Sequence, residues 1–181
     1  MIRFTIGALS AALLTTFIAT PNHPNATAES ATSSVIPGPP WISIEHPVNP
    51  YDATTRDAFL LVHAFHHGTP QNFPVTGTAE GMINGERKTV NLEFTRTSRS
   101  GVFALRRQWE TKGEWTLVIT AAQGPDDKVS AVVDLGRGGN AVAAVNVPTR
   151  VQGAHRIPAA VSMSDVESGL RSRASQVATK R

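Results

Sequence analysis

From residue 41 to residue 148 the chain is a succession of short apolar runs, and every run ends in turn chemistry. The strongest stop is Asn84-Gly85, because both residues tolerate the positive φ that the two central positions of a type I′ hairpin turn require. Beyond it, Val90, Leu92 and Phe94 alternate with Asn91, Glu93 and Thr95, the period of a strand with one buried and one wet face. Trp115, Leu117 and Ile119 repeat that period on one face of a later run. No segment here carries apolar residues at helical spacing over a competing length. The pattern predicts eight strands, over 41–45, 59–65, 75–83, 88–94, 102–109, 114–121, 129–135 and 141–147. The run 59–65 (FLLVHAF) is the most apolar and is expected to be central. The Gly-rich stretch 136–139 reads as a flexible hairpin loop.

Short strands at near-even spacing predict an all-β fold, an antiparallel immunoglobulin-like β-sandwich of about seven to eight strands, with a barrel as the alternative. Trp41, Phe59, Phe65, Phe94, Phe103, Trp109 and Trp115 lie in or beside these runs, where they are expected to fill the core. The chain has no cysteine. Disulfide staples, a Cys-ligated zinc, a thiol nucleophile and a lipid-modified N-terminal Cys are therefore excluded, and stability has to come from that core. A formal charge of +3 over 181 residues is no footprint of a nucleic-acid binder.

The ends of the chain differ from its middle. Residues 1–28 read as a signal peptide: Arg3, an uncharged apolar stretch over 4–19, a Pro/Asn-rich segment, and Ala26-Thr27-Ala28 as a small-x-small cleavage site. The apolar stretch is shorter than the roughly 20 residues of a membrane span. The mature protein is expected to start at Glu29, to be periplasmic or secreted, and to carry no transmembrane segment. Residues 29–40 (ESATSSVIPGPP) are expected to be a flexible lead, and 41–148 the sandwich. Residues 149–181 carry six basic side chains against Asp165 and Glu167, a basic tail expected to be disordered or a short helix. There Ser164 and Glu167 fit a capping box, and Val166, Leu170 and Val177 form a thin apolar stripe. Gly169 weakens such a helix by roughly 1 kcal/mol relative to Ala.

The one chemically suggestive cluster is the segment 63–68 (HAFHHG). Imidazole suits copper or zinc. On a strand, His63 and His67 are about 13 Å apart at about 3.3 Å per residue, so His66 and His67 at the strand end are the better pair. In an up-and-down arrangement the loops after residues 65, 95 and 121 share one pole, which would gather His66, His67, Arg96, Arg99, Asp126 and Asp127. His46 falls at the other pole. A divalent cation held by His66, His67, Asp126 and Asp127 is one reading of that pole. In the other, the aspartates are turn residues, His63 sits near the core with one hydrogen bond, and His66 and His67 are exposed. No Gly-x-Ser-x-Gly elbow or His-Glu-x-x-His helix occurs. The Gly-rich 136–139 precedes a strand rather than a helix N-terminus, so it offers no phosphate cradle.

Residues 101–105 (GVFAL) followed by 113–119 (GEWTLVI), together with 75–80 and the Asn84-Gly85 hairpin, resemble bacterial secreted immunoglobulin-like domains of the YtkA-like and FixH-like group. The resemblance spans roughly residues 59–121. It implies an envelope protein without established catalysis, in a group sometimes associated with copper handling, and it transfers no functional residue. The expected function is that of an exported, non-catalytic binding or accessory module for a protein partner or small ligand of the envelope. The alternative is a periplasmic copper- or zinc-handling protein using His66 and His67.

Overall fold

The computed structural model describes residues 38–179, with side chains to residue 171. The signal peptide expected over 1–28 and most of the lead expected over 29–40 lie outside the described residues. Twelve strands are described: β1 (Trp41–Glu45), β2 (Leu60–His66), β3 (Thr69–Pro70), β4 (Val75–Ile83), β5 (Glu86–Asn91), β6 (Phe94–Arg96), β7 (Val102–Leu105), β8 (Glu114–Ala122), β9 (Lys128–Leu135), β10 (Val142–Asn146), β11 (Thr149–Gln152) and β12 (His155–Pro158). A helix, α1 (Met163–Thr179), follows.

Two open antiparallel sheets form from these strands. One runs β1-β2-β7-β6, with β3 turned back onto the end of β2; the other runs β10-β9-β8-β4-β5. Strands one, two, seven and six facing five, four, eight and nine is the immunoglobulin-like arrangement, with β10 added at one edge. Neither sheet closes into a barrel. The run 59–65 is central as expected, since β2 lies between β1 and β7. Its Leu60, Val62 and Ala64 meet Leu117, Ile119, Ala131 and Val133 of the facing sheet in one core.

Trp115 is fully buried in that core with Leu117 and Ile119, the face its alternation predicts. Its indole N–H donates to the Lys112 carbonyl at 2.8 Å. Gly81 is opposite, in register, and a Cβ there would stand 2.5 Å from the Trp115 ring, so only glycine leaves room for the indole. Trp109 is buried against Phe59, ring edge to ring face at 4.9 Å. Trp41 is not a core residue: at the edge of its sheet it remains 44% exposed.

The expected strand over 88–94 is two elements. The chain leaves β5 at Asn91, crosses between sheets with Leu92 buried, and continues as β6 in the other sheet. A period of two persists through such a crossing because the core lies between the sheets. The expected strand 102–109 stops at Leu105. The loop expected to be flexible over 136–139 is a single 3-10 turn held by side chains: Arg107 donates to the Gly138 carbonyl at 2.8 Å, and the Trp109 indole donates to the Gly139 carbonyl at 3.1 Å.

The segment after Pro148 carries a hairpin, β11–β12, before α1. Disorder or a short helix was the expectation there, with no hairpin. The helix cap lies two residues earlier than the Ser164/Glu167 pattern: the Asp165 N–H donates to Ser162 Oγ at 3.2 Å, and Asp165 Oδ2 accepts from the Ser162 N–H at 3.3 Å. Val166 and Leu170 are buried with Val118 on the outward face of the second sheet. Glu167, released from a capping role, pairs with Arg87 of β5 and with Arg171.

Candidate functional site

Backbone hydrogen bonds draw the expected pole together. Ala64 N–H donates to the Gly101 carbonyl, Gly101 N–H to Asn72 Oδ1, and Ala122 N–H to the Pro74 carbonyl, so the connections after β2, β6 and β8 meet at one end. His46 is at the other end, its Nδ1 3.0 Å from the Phe59 carbonyl.

β2 enters this pole through a tight turn in which His67 and Gly68 have φ of 47° and 78°. Two consecutive positive values define a type I′ turn, and they pair Phe65 with Pro70 and His66 with Thr69. A non-glycine residue held at the first of these positions stores strain of order 1 kcal/mol. His66 points inward and is 4% exposed, a correction to the exposed position expected of it; its place in the inward-facing set with Leu60, Val62 and Ala64 is the reason. The two imidazoles stand edge to face with centroids 4.1 Å apart. Both Nε2 atoms lie 3.5 Å from the point a Cβ on Gly38 would occupy, so the two nitrogens converge.

Asp126 and Asp127 do not join them. They sit in the β8–β9 turn, closed by the Gln123 N–H donating to the Asp127 carbonyl at 2.9 Å, and they line a recess of about 400 Å³ with Pro39, Lys128 and Arg150. Among the described residues no three His, Asp or Glu side chains form a group able to hold a metal. The four-ligand set expected from the shared pole is therefore reduced to the histidine pair, because the aspartates hang from a different connection beside basic side chains.

His63 is half-buried on the outward face of the first sheet with one partner: Nε2 is 2.8 Å from Glu45 Oε2, and Arg99 is 3.8 Å from the same oxygen. A recess of about 190 Å³ beside it is lined by Phe65, Pro70, Ser100 and Val102. This is a carboxylate-oriented imidazole on a largely apolar shelf.

A second charged feature centres on Glu80, one of the carboxylates around the Asn84-Gly85 hairpin, which pairs with arginine and threonine rather than with another carboxylate. Glu80 of β4 is fully buried on the outward face of the second sheet. Burial pushes its carboxyl up, but hydrogen bonds from Thr89 (2.7 Å) and Arg87 (2.9 Å), with Thr78 contributing, outweigh this and hold it below the usual Glu range. The Glu80 hydrogen bond, in turn, raises the already high pKa of Arg87, which also reaches Glu167 of α1. The assembly ties the helix to the sheet. Only its spacing on alternate residues with Thr78, on a face later covered by a helix, would have signalled it.

The edges of the sheets differ in how they meet solvent. β5 presents Glu86, Arg87 and Lys88; β6 is three residues long and includes Arg96; β1 carries Glu45 and lies between Pro40 and Pro47. β10 (VAAVN) has neither charge nor proline, although a bulge between Val142 and Ala144 shifts its register on β9; four of its five residues are exposed, and Val145 is 44% exposed. Among the described residues nothing pairs with its outer side. Edges without charge, proline or cover are the ones that accept another strand. The Arg107 and Trp109 contacts to the 3-10 turn fix where β10 begins. No helix among the described residues is long and apolar enough to cross a membrane. Comparison with known proteins finds no matching family model, no matching curated protein and no matching solved structure.

Proposed function

We propose that the chain is an exported, non-catalytic β-sandwich that works as a binding or accessory module of the bacterial envelope, in the manner of the YtkA-like domains its strands resemble. The observation that supports it most is the β10 edge, uncharged, exposed and held in place at its start. The binding mode is strand addition: an extended segment pairs its backbone with β10, and pockets between alternate side chains select among sequences. Selection of extended peptides from a random library, followed by amide hydrogen exchange, tests this. Binders should protect residues 142–146, and Ala144→Lys, which sets a solvated charge on the edge, should abolish binding while leaving the melting temperature unchanged. Binders that protect another face would overturn the proposal.

A second reading is copper or zinc handling at His66 and His67. It is favoured by the convergence of the two Nε2 atoms and by the strained backbone at His67. Cu(II) or Zn(II) at about a hundredfold excess over Kd should stabilise the fold by about 2.7 kcal/mol. His66→Ala/His67→Ala should remove the shift and His46→Ala, at the far pole, should keep it; a shift that survives the double substitution refutes the reading.

A further inference from the structure

We infer that the segment taken up by β10 is an extended acidic polypeptide: a core of about five uncharged residues at strand spacing, flanked by Asp or Glu. This rests on the strand-addition reading above and assigns the chemistry of its partner.

Each end of the β10 edge is bounded by another part of the chain. After Asn146 the chain leaves the line of β10. Ala159, just past β12, takes that line over: its carbonyl accepts from the Ser130 N–H of β9 at 3.1 Å, and its own N–H donates to the Pro148 carbonyl at 2.9 Å. Ala159 thus sits next to β9 at Ser130, and Pro148, which leads into β11, lies one position further out. That outer position is the one a strand added to β10 would occupy. An incoming segment therefore runs alongside 142–146 and ends against Pro148 and β11, which limits its paired core to about five residues.

Charge sets its flanks. Arg150 of β11 and Arg156 of β12 are exposed at the Asn146 end, and Arg137 is exposed in the 3-10 turn at the Val142 end. Among the described residues none of these three arginines forms an ion pair; Arg156 donates only to the Thr149 hydroxyl, at 3.2 Å. Asp126 and Asp127 line the nearby recess with Arg150 and Lys128. A neutral strand edge with a cation at each end fits a neutral core with anionic flanks.

A second copy of the chain fits less well. Two β10 edges paired about a twofold axis would join strands of only five residues, which falls well short of the roughly 1,200–2,000 Å² buried by a stable interface. It would also bring the 3-10 turn of each copy, with its Arg137, toward the basic hairpin of the other.

Three synthetic peptides sharing one alternating Thr/Val core, with acidic, neutral or basic flanks, test the inference by fluorescence titration and amide hydrogen exchange on the full chain. The acidic peptide should bind about tenfold more tightly than the neutral one, the combined effect of a few exposed ion pairs. It should protect residues 142–146. The advantage should shrink between about 0.1 M and about 1 M salt, where the screening length falls from about 10 Å to about 3 Å. Arg137→Gln/Arg150→Gln/Arg156→Gln, verified as folded by its melting curve, should reduce acidic-peptide affinity to that of the neutral peptide. Equal affinity for acidic and neutral peptides, with residues 142–146 protected by both, overturns the acidic assignment and leaves strand addition standing. No protection of 142–146 by any peptide overturns both. A concentration-dependent dimer that protects 142–146 without peptide overturns the acidic partner in favour of a second copy.

Discussion

Gly81→Ala should be destabilising only while Trp115 is present. The added Cβ would stand 2.5, 2.6 and 2.7 Å from three atoms of the indole, well inside contact distance. The ring cannot move aside cheaply, because it is fully buried and its N–H is fixed on the Lys112 carbonyl. Overpacking of this kind costs about 1–3 kcal/mol, from which about 0.5–1 kcal/mol is regained because alanine orders a strand at less entropic cost than glycine. In a Trp115→Leu background the obstacle is gone. Trp115→Leu itself should cost less than the roughly 3–5 kcal/mol of truncation to Ala, and adding Gly81→Ala to it should be neutral or stabilising by about 0.5–1 kcal/mol. The cycle should therefore show a coupling of about 1–3 kcal/mol. Urea unfolding of the four proteins, compared through midpoints at constant m, measures it. Additivity to within about 0.5 kcal/mol would refute the packing argument and place the indole outside the core.

Three further outcomes are expected. Glu80→Gln should cost about 1.5–3 kcal/mol at pH 7, toward the lower end because Arg87 is a third exposed. Since the Glu80 carboxyl is held below the usual range, its contribution is present above about pH 4.3 and lost as pH falls through the lower folded value. The gap between wild type and variant should thus close in acid melts, and a gap that widens there would contradict the assignment. Ser162→Ala should cost about 1 kcal/mol through loss of the helix cap, read as earlier amide exchange over 163–171, whereas Ser164→Ala should cost less. N-terminal sequencing of the exported protein should find Glu29; an intact Met1 on exported material would refute the signal assignment.

How far the fold was legible depends on how local its causes are. The β4–β5 hairpin follows from Asn84-Gly85, whose φ values of 52° and 86° are those the dipeptide favours. The buried face of β8 follows from alternation alone. The His67-Gly68 turn makes the same demand on the backbone but signals it less clearly, because His-Gly is not one of the favoured hairpin dipeptides. The switch at Leu92 is invisible to a period of two, since both sheets face the same core. Val166 and Leu170 were legible as a stripe, yet the partner that gives them a reason to be buried, Val118, lies far away in sequence on a face that alternation marks as wet. At the candidate site, adjacency made His66 and His67 easy to name and topology brought the aspartates to the same pole. Only side-chain geometry could separate them. The run 141–147 reads as a strand, but that it is an edge with no neighbour among the described residues depends on the order of the whole sheet.

Ser130 carries an unusual number of attachments for one small residue. Its N–H donates to the Ala159 carbonyl at 3.1 Å, its hydroxyl meets Thr120 Oγ1 at 2.9 Å, and the same hydroxyl accepts from the Val161 N–H at 3.2 Å. Cutting the chain at Pro148, where composition changes, would strand a buried backbone donor and expose Val118 at once. The last thirty or so residues are thus an integral wall of the sandwich and not an appendage. A tag fused at the C-terminus hangs from a docked helix, and a shortened form designed from composition alone would keep every strand of the sandwich and still be expected to aggregate.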